Sequence, residues 1–206
     1  MAGRPFVEHQ LELLRAHGAH RIVLSVGYLG ELIEEHVGDG SRFGLDIRFS
    51  HDGPEPAGTA GAVRSALPLL GDEFMVLYGD TYLRLDYQDV ARVFRRSGLP
   101  ALMTVLRNRG EWAPSNAVYE RDKVIAFDKE RPPKEAEWID YGLSVFERSA
   151  LEQDPANDLA DLAHELARQG RLAGYPVDER FYEIGTPEAL AETEAFLSRA
   201  APHARS

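Results

Sequence analysis

The chain has 206 residues, 44% of them hydrophobic and 28% charged, which fits one domain of ordinary globular character with enough apolar material for a sizeable core. It contains no cysteine, so a disulfide framework and a thiolate-ligated metal site are excluded. The formal net charge of −11, with no basic tract to offset it, argues against a nucleic-acid partner but not against a small phosphate-bearing ligand, because a divalent cation can bridge carboxylate and phosphate.

No apolar run approaches the length that spans a bilayer, and the opening MAGRPFVEHQ lacks the charged-then-apolar pattern of a secretory signal. The expectation is a cytoplasmic protein with no membrane partner. Pro5 stands where the first position of a helix tolerates it, Phe6, Val7, Leu11 and Leu14 supply an apolar face, and Gly18 ends the helix. Residues 21–26 (RIVLSV) read as a buried parallel strand, 29–37 as an amphipathic helix stopped by Gly38 and Gly40, 45–50 as a strand, and 57–67 as a helix rich in small residues. The run FMVLY at 74–78 is the clearest buried strand. A helix at 86–97 and a strand at 101–106 follow, then a hairpin of 117–119 and 123–127 about the polar turn 120–122. After the Pro-rich loop 131–134 come a strand at 139–146, a helix at 159–168, a strand at 171–177 and a last helix at 187–199.

This alternation predicts an α/β fold: a doubly wound, mainly parallel, Rossmann-like sheet with helices on both faces. One domain over residues 1–200 is expected, with a frayed tail at 201–206. Such folds usually open with a strand whose carboxyl end carries the first phosphate-binding loop. This chain opens on a helix.

Five stretches could carry chemistry. In Tyr78-Gly79-Asp80-Thr81, an aspartate just past a buried strand lies at the sheet edge where open α/β sheets bind ligands, and its hard oxygens suit Mg²⁺; equally, Gly79-Asp80 serves as a plain turn. In Phe181-Tyr182-Glu183-Ile184-Gly185-Thr186-Pro187-Glu188, helix capping accounts for Thr186, Pro187 and Glu188 but leaves Glu183 unexplained, and Glu183 would supply a second metal carboxylate if its strand end approaches Asp80. Gly58 and Thr59, at a loop-to-helix junction of small residues, either let a ligand approach the backbone or serve close helix–sheet packing. Lys129, in a loop beside a strand, is either a solvated surface charge or a point charge for a substrate phosphate. Asp140-Tyr141-Gly142 either binds sugar hydroxyls or begins a strand. The seven histidines form no helical metal pair with a carboxylate, and no nucleophile-elbow serine is present.

Taken in order, AGRPFVEHQLELL, HRIVLSVGYLGELI, GTAGAV, VLYGDTYL, IAFDKERP, IDYGLSVF and FYEIGTPEAL resemble the sugar-1-phosphate nucleotidyltransferases, the nucleotide-sugar pyrophosphorylases, and within them the heptose and mannose 1-phosphate guanylyltransferases. The resemblance implies transfer of a nucleotidyl group from a nucleoside triphosphate, GTP in that subgroup, to a sugar 1-phosphate with release of pyrophosphate, assisted by Mg²⁺. It implies that Asp80 and Glu183 hold the metal, although many relatives carry aspartate at the second position. Gly58, Thr59 and Gly79 would contact the nucleotide, Lys129 the sugar phosphate, and Asp140, Tyr141 and Gly142 the sugar, where many relatives have asparagine in place of Asp140 or Tyr141. A homo-oligomer is compatible with it.

The family's glycine-rich loop, which follows its first strand, has no counterpart here. The expectation is therefore a sheet lacking its first strand and loop, an impaired catalyst, and strands 21–26 and 74–78 flanking an open place with ladder groups unpaired. Two other readings stay open: a nucleotide-sugar-dependent glycosyltransferase, and a sugar-phosphate-binding regulatory subunit.

Overall fold

Strands and helices alternate along the computed structural model, which describes residues 1, 3–53, 57–152 and 154–200. The first third comprises α1 (Phe6–Ala16), β1 (Arg21–Val26), α2 (Gly30–Val37), β2 (Asp46–His51), α3 (Gly58–Ala66) and β3 (Glu73–Leu77). The middle holds β4 (Thr81–Tyr82), α4 (Tyr87–Ser97), β5 (Ala101–Arg107), β6 (Ala117–Glu120) and β7 (Lys123–Phe127). The last third adds β8 (Trp138–Glu147), α5 (Arg148–Glu152), α6 (Leu159–Arg168), β9 (Leu172–Val177), β10 (Tyr182–Glu183) and α7 (Pro187–Ala200). The predicted elements are all present, and the short β4, β10 and α5 are additions. The expected tail at 201–206 lies outside the described residues.

Local chemistry explains the helix ends. The Asp86 carboxylate accepts the N–H groups of Gln88 and Asp89 to start α4, and Gly98 at φ +61° ends it. Asp158 does the same for α6 through the Ala160 N–H. On α6 the residues Leu159, Leu162, Ala163, Leu166 and Ala167 recur at helical spacing and are all buried. Each leucine so buried contributes about 1.5–3 kcal/mol relative to exposure.

The principal sheet has six strands in the order β3-β8-β5-β9-β7-β6. Parallel pairing occurs at β5–β9 here and at β1–β2 in a separate two-stranded sheet. The long β8 enters antiparallel between β3 and β5, and β7 pairs antiparallel with β9 and β6, so the sheet is mixed rather than mainly parallel. The cause is the hairpin β6–β7 and the strand return after it, connections too short for a right-handed crossover helix. Both faces are covered. On β5, Ala101, Met103 and Val105 point to a core shared with α3, α5 and α6, while Leu102 and Leu106 point to a core shared with α4. A smaller core of Leu11, Val37, Leu45 and Ile47 lies beneath α1 and the β1–β2 pair.

Between the two sheets the ladder is interrupted. Among the described residues β1 pairs with β2 alone and β3 with β8 alone. A groove of about 540 Å³ separates them, lined by Ile22 and Leu24 on one side, Phe74, Met75 and Leu77 on the other, and Leu143 beside them. A Cβ on Gly71 would stand 3.9 Å from the Arg21 guanidinium, so the starts of the two strands lie near one another. The expectation that strands 21–26 and 74–78 flank an open place is met. Their link is α1, whose buried Gln10 side chain donates to the carbonyls of Tyr78 (3.2 Å) and Thr81 (2.7 Å) at the far end of β3.

Candidate active site

That far end of β3 gathers most of the candidate residues. The chain leaves the sheet through Tyr78, Gly79 and Asp80 and enters β4, which pairs antiparallel with β10 so that Thr81 faces Glu183 and Tyr82 faces Tyr182. The Ile184 N–H donates to the Asp80 carbonyl at 3.0 Å. The backbones of two acidic residues far apart in sequence, Asp80 and Glu183, thus lie on neighbouring strands at one edge. Neither carboxylate takes a hydrogen bond or ion pair from another described residue, so both keep their lone pairs for a ligand. Behind them, the Thr193 hydroxyl donates to the Glu183 carbonyl at 2.6 Å and ties β10 to α7. Tyr182 stacks on Phe196, with ring centroids 4.0 Å apart.

The next contact brings in β8. A Cβ on Gly142, which has φ +100°, would lie 3.7 Å from the Thr81 hydroxyl, so the β8 backbone passes beside β4. The Gly142 N–H donates to Asp140 Oδ1 at 3.0 Å, and Asp140 Oδ2 stands 3.0 Å from the Lys129 ammonium. Lys129 also faces the Tyr78 ring at 5.3 Å and the Phe127 ring at 6.0 Å. Burial by itself lowers the proton affinity of Lys129, but Asp140 and Tyr78 more than compensate and leave it above the usual lysine range. For Tyr78 burial is the main cause of an upward shift, reinforced by Asp140 and opposed by Lys129.

Alternation along β8 sends Tyr141 the other way. Its side chain is 1% exposed, packs edge-on against Phe181 and reaches the Arg180 carbonyl, so the ring belongs to the core beneath α4 and not to the rim. Gly58 and Thr59 lie across the site at the start of α3. The Thr59 hydroxyl accepts the Leu159 N–H at 2.8 Å, and a Cβ on Gly58 would come within 2.2 Å of the Asn157 carbonyl oxygen. Both residues are thus engaged in seating α6 on α3. A Cβ on Gly79, in contrast, would meet no atom within 4 Å.

A polar cavity of about 530 Å³ opens beside Lys129, lined in addition by Thr59, Tyr78, Asp128, Arg131, Asp158 and His164. Several of these lining residues are candidates that the sequence did not single out. His164 Nδ1 bonds the Phe127 carbonyl at 2.7 Å and lies 3.7 Å from the Asp128 carboxylate. Asp128 is held below the usual aspartate range mainly by the Arg131 N–H, with help from the Glu130 N–H and His164, against the opposing effect of burial. Asn116 connects the parts: its carbonyl accepts the Asp128 N–H and its side-chain oxygen the Asp140 N–H, each at 3.0 Å. Asp128 adjoins Lys129 and could have been suspected for that reason. His164 and Asn116 carry no comparable signal, since only folding brings α6 and the start of β6 to this loop.

Two carboxylates with free oxygens suit a hard divalent cation such as Mg²⁺, which takes one or two protein carboxylates and completes its shell with phosphate oxygens and water. Among the described residues no group of three or more His, Asp or Glu side chains could form a full protein cage. The donor set fits an ion shared with a phosphate-bearing substrate.

A family model described as nucleotidyl transferase matches residues 1–200. The UTP–glucose-1-phosphate uridylyltransferase of Synechocystis is 29% identical over 95% of this chain and 56% of its own length. The mannose-1-phosphate guanylyltransferase of Mycobacterium tuberculosis is 30% identical over 96% of this chain and 57% of its own, so the chain spans little more than half of either relative. The N-acetylmuramate α-1-phosphate uridylyltransferase of Neisseria meningitidis is 30% identical over 95% of this chain and 86% of its own. Among solved structures, HddC of Yersinia pseudotuberculosis superposes with a TM-score of 0.77 at 21% identity, over 95% of this chain and 87% of that one, which speaks for a shared fold. No helix among the described residues is long and apolar enough to cross a membrane.

Proposed function

The chain belongs to the nucleotidyl transferase family, and from that premise we propose that it joins a sugar 1-phosphate to a nucleoside triphosphate, GTP by preference, yielding a nucleotide sugar and pyrophosphate. The observation that carries this reading is the β4–β10 pairing, which sets Glu183 opposite Thr81 and bonds the Ile184 N–H to the Asp80 carbonyl, at the end of β3 where Tyr78 meets Lys129. The guanine preference draws on the mycobacterial mannose-1-phosphate guanylyltransferase and on a heptose 1-phosphate guanylyltransferase of Campylobacter jejuni, 28% identical over 90% of this chain. A cytoplasmic setting follows from the substrates.

In the reaction a sugar-phosphate oxygen forms a bond to the α-phosphorus as the bond from that phosphorus to the bridging oxygen breaks, and pyrophosphate departs with the electron pair. The nucleophile is already an anion, so no strong general base is needed. The barrier lies in bringing two anions together, and the residues act by positioning and charge neutralisation. Asp80 and Glu183 would hold Mg²⁺, which would supply polarisation and charge screening at the α-phosphate. Lys129 holds the sugar phosphate, and Asp140 with the Gly142 backbone meets the sugar. The exposed backbone at Gly79 and the start of α3 at Gly58 and Thr59 border the nucleotide.

The test is pyrophosphate release by the chain with Mg²⁺, each of the four common nucleoside triphosphates, and mannose, glucose or heptose 1-phosphate. GTP should give the highest kcat/KM, and Asp80→Asn and Glu183→Gln should each lower it at least about a hundredfold, with melting temperatures unchanged. Pyrophosphate release undiminished in both variants would sink the reading. Transfer of sugar from a preformed nucleotide sugar, without pyrophosphate release, would replace it with a glycosyltransferase.

A further inference from the structure

The Lys129–Asp140 pair supports an inference that rests on the reading of Lys129 as the holder of the sugar phosphate. The partners are unequally placed: the Asp140 side chain is 8% exposed and that of Lys129 41%. Seen from solvent, the carboxylate therefore stands behind the ammonium. Asp140 is also fixed where it is. Its Oδ1 accepts the Gly142 N–H and its own N–H is taken by the Asn116 side chain, both at 3.0 Å, so it cannot swing away when an anion arrives. Lys129 has other supports in the rings of Tyr78 and Phe127, which keep its head near the rim with or without the carboxylate.

We propose that Asp140 is an affinity-setting counter-ion of the sugar-phosphate subsite, an internal anion that half-neutralises Lys129 and so weakens its grip on the incoming phosphate. A phosphate in contact with Lys129 stands about 6 Å from the fixed carboxylate, the sum of two charge-assisted contacts of ~3 Å on either side of the ammonium. Like charges so close repel measurably even where water raises the effective dielectric. The consequence is a phosphate bound loosely enough to exchange, and a subsite that favours ligands able to offer Asp140 a hydroxyl hydrogen bond in return. Free inorganic phosphate offers none.

The experiment is calorimetric titration of inorganic phosphate, at low salt and neutral pH, into the wild-type chain, Asp140→Asn, Lys129→Met and the double variant. Asparagine keeps the volume and the acceptor for the Gly142 N–H while removing the charge. Asp140→Asn should bind phosphate about tenfold more tightly than wild type, the equivalent of about 1.4 kcal/mol. Lys129→Met and the double variant should both lose binding. If Asp140→Asn melts early, Asp140→Ser answers the same question. Unchanged or weaker phosphate binding in the charge-removed variant, with binding still lost in Lys129→Met, overturns the counter-ion role and leaves the reading of Lys129 standing. Full phosphate binding by Lys129→Met overturns the reading of Lys129 and the inference with it.

Discussion

Replacing Gly58 with alanine separates the packing role of the α3 start from any contact with nucleotide. Gly58 has φ +71°, and an alanine in that left-handed region costs about 1–2 kcal/mol. The new Cβ would also sit 2.2 Å from the Asn157 carbonyl oxygen and 2.9 Å from its carbon, both backbone atoms, so the chain itself must move. The movement pulls on the Ala60 N–H bond to that carbonyl, 3.0 Å, and on the Leu159 N–H bond to Thr59, 2.8 Å, each worth about 1 kcal/mol. Against this, alanine gains about 0.4–1 kcal/mol by restricting the unfolded chain. The balance is a loss of about 2–3 kcal/mol. In a chain of this size each kcal/mol moves the midpoint by about 2–4 °C, so thermal denaturation followed by circular dichroism should show a fall of about 5–10 °C. Gly79→Ala is the control: with no atom within 4 Å of its Cβ it should melt within about 1 °C of wild type, so any change in nucleotide affinity there reports on the site. A Gly58→Ala protein as stable as wild type would refute the argument that α3 and α6 are locked together at this glycine.

Two further expectations follow from the groove and from the cavity. In amide hydrogen exchange of the chain alone, alternate N–H groups of β1, those turned from β2 toward the groove, should exchange far faster than their neighbours, and uniform protection along β1 would mean that its open edge is covered. Asp128 is held below the ordinary aspartate range, so its support of the loop that carries Lys129 is fully present above that range and is lost as pH falls through its depressed midpoint. Carboxyl NMR titration should find that midpoint below the value of an exposed aspartate, with the Lys129 amide shifting in step; an ordinary midpoint contradicts the hydrogen-bonding account.

Much of this molecule is written in local pattern. The alternation on β5, the apolar stripe of α6 and the caps Asp86 and Asp158 depend on residues close together in the chain, and periodicity reveals them without a structure. The position of Asp80 past a buried strand was legible for the same reason. The inward aim of Tyr141 was not read: it was grouped with Asp140 and Gly142 at the sugar, although successive residues of a strand point to opposite faces.

What tertiary structure alone decided is which distant residues meet. The two-residue strands β4 and β10 are too short to show a period, yet their pairing brings Glu183 opposite Thr81, the residue after Asp80. The engagement of Gly58 with Asn157, the position of Lys129 in front of a buried Asp140, and the arrival of His164 and Asn116 beside them all depend on elements far apart in sequence. The mixed sheet is of the same kind, because the direction of β8 between β3 and β5 is a property of how strands pair and not of either strand's own composition. Side-chain pattern is set by neighbours within a few residues, whereas a site is set by contacts that exist only once the chain has closed its long loops.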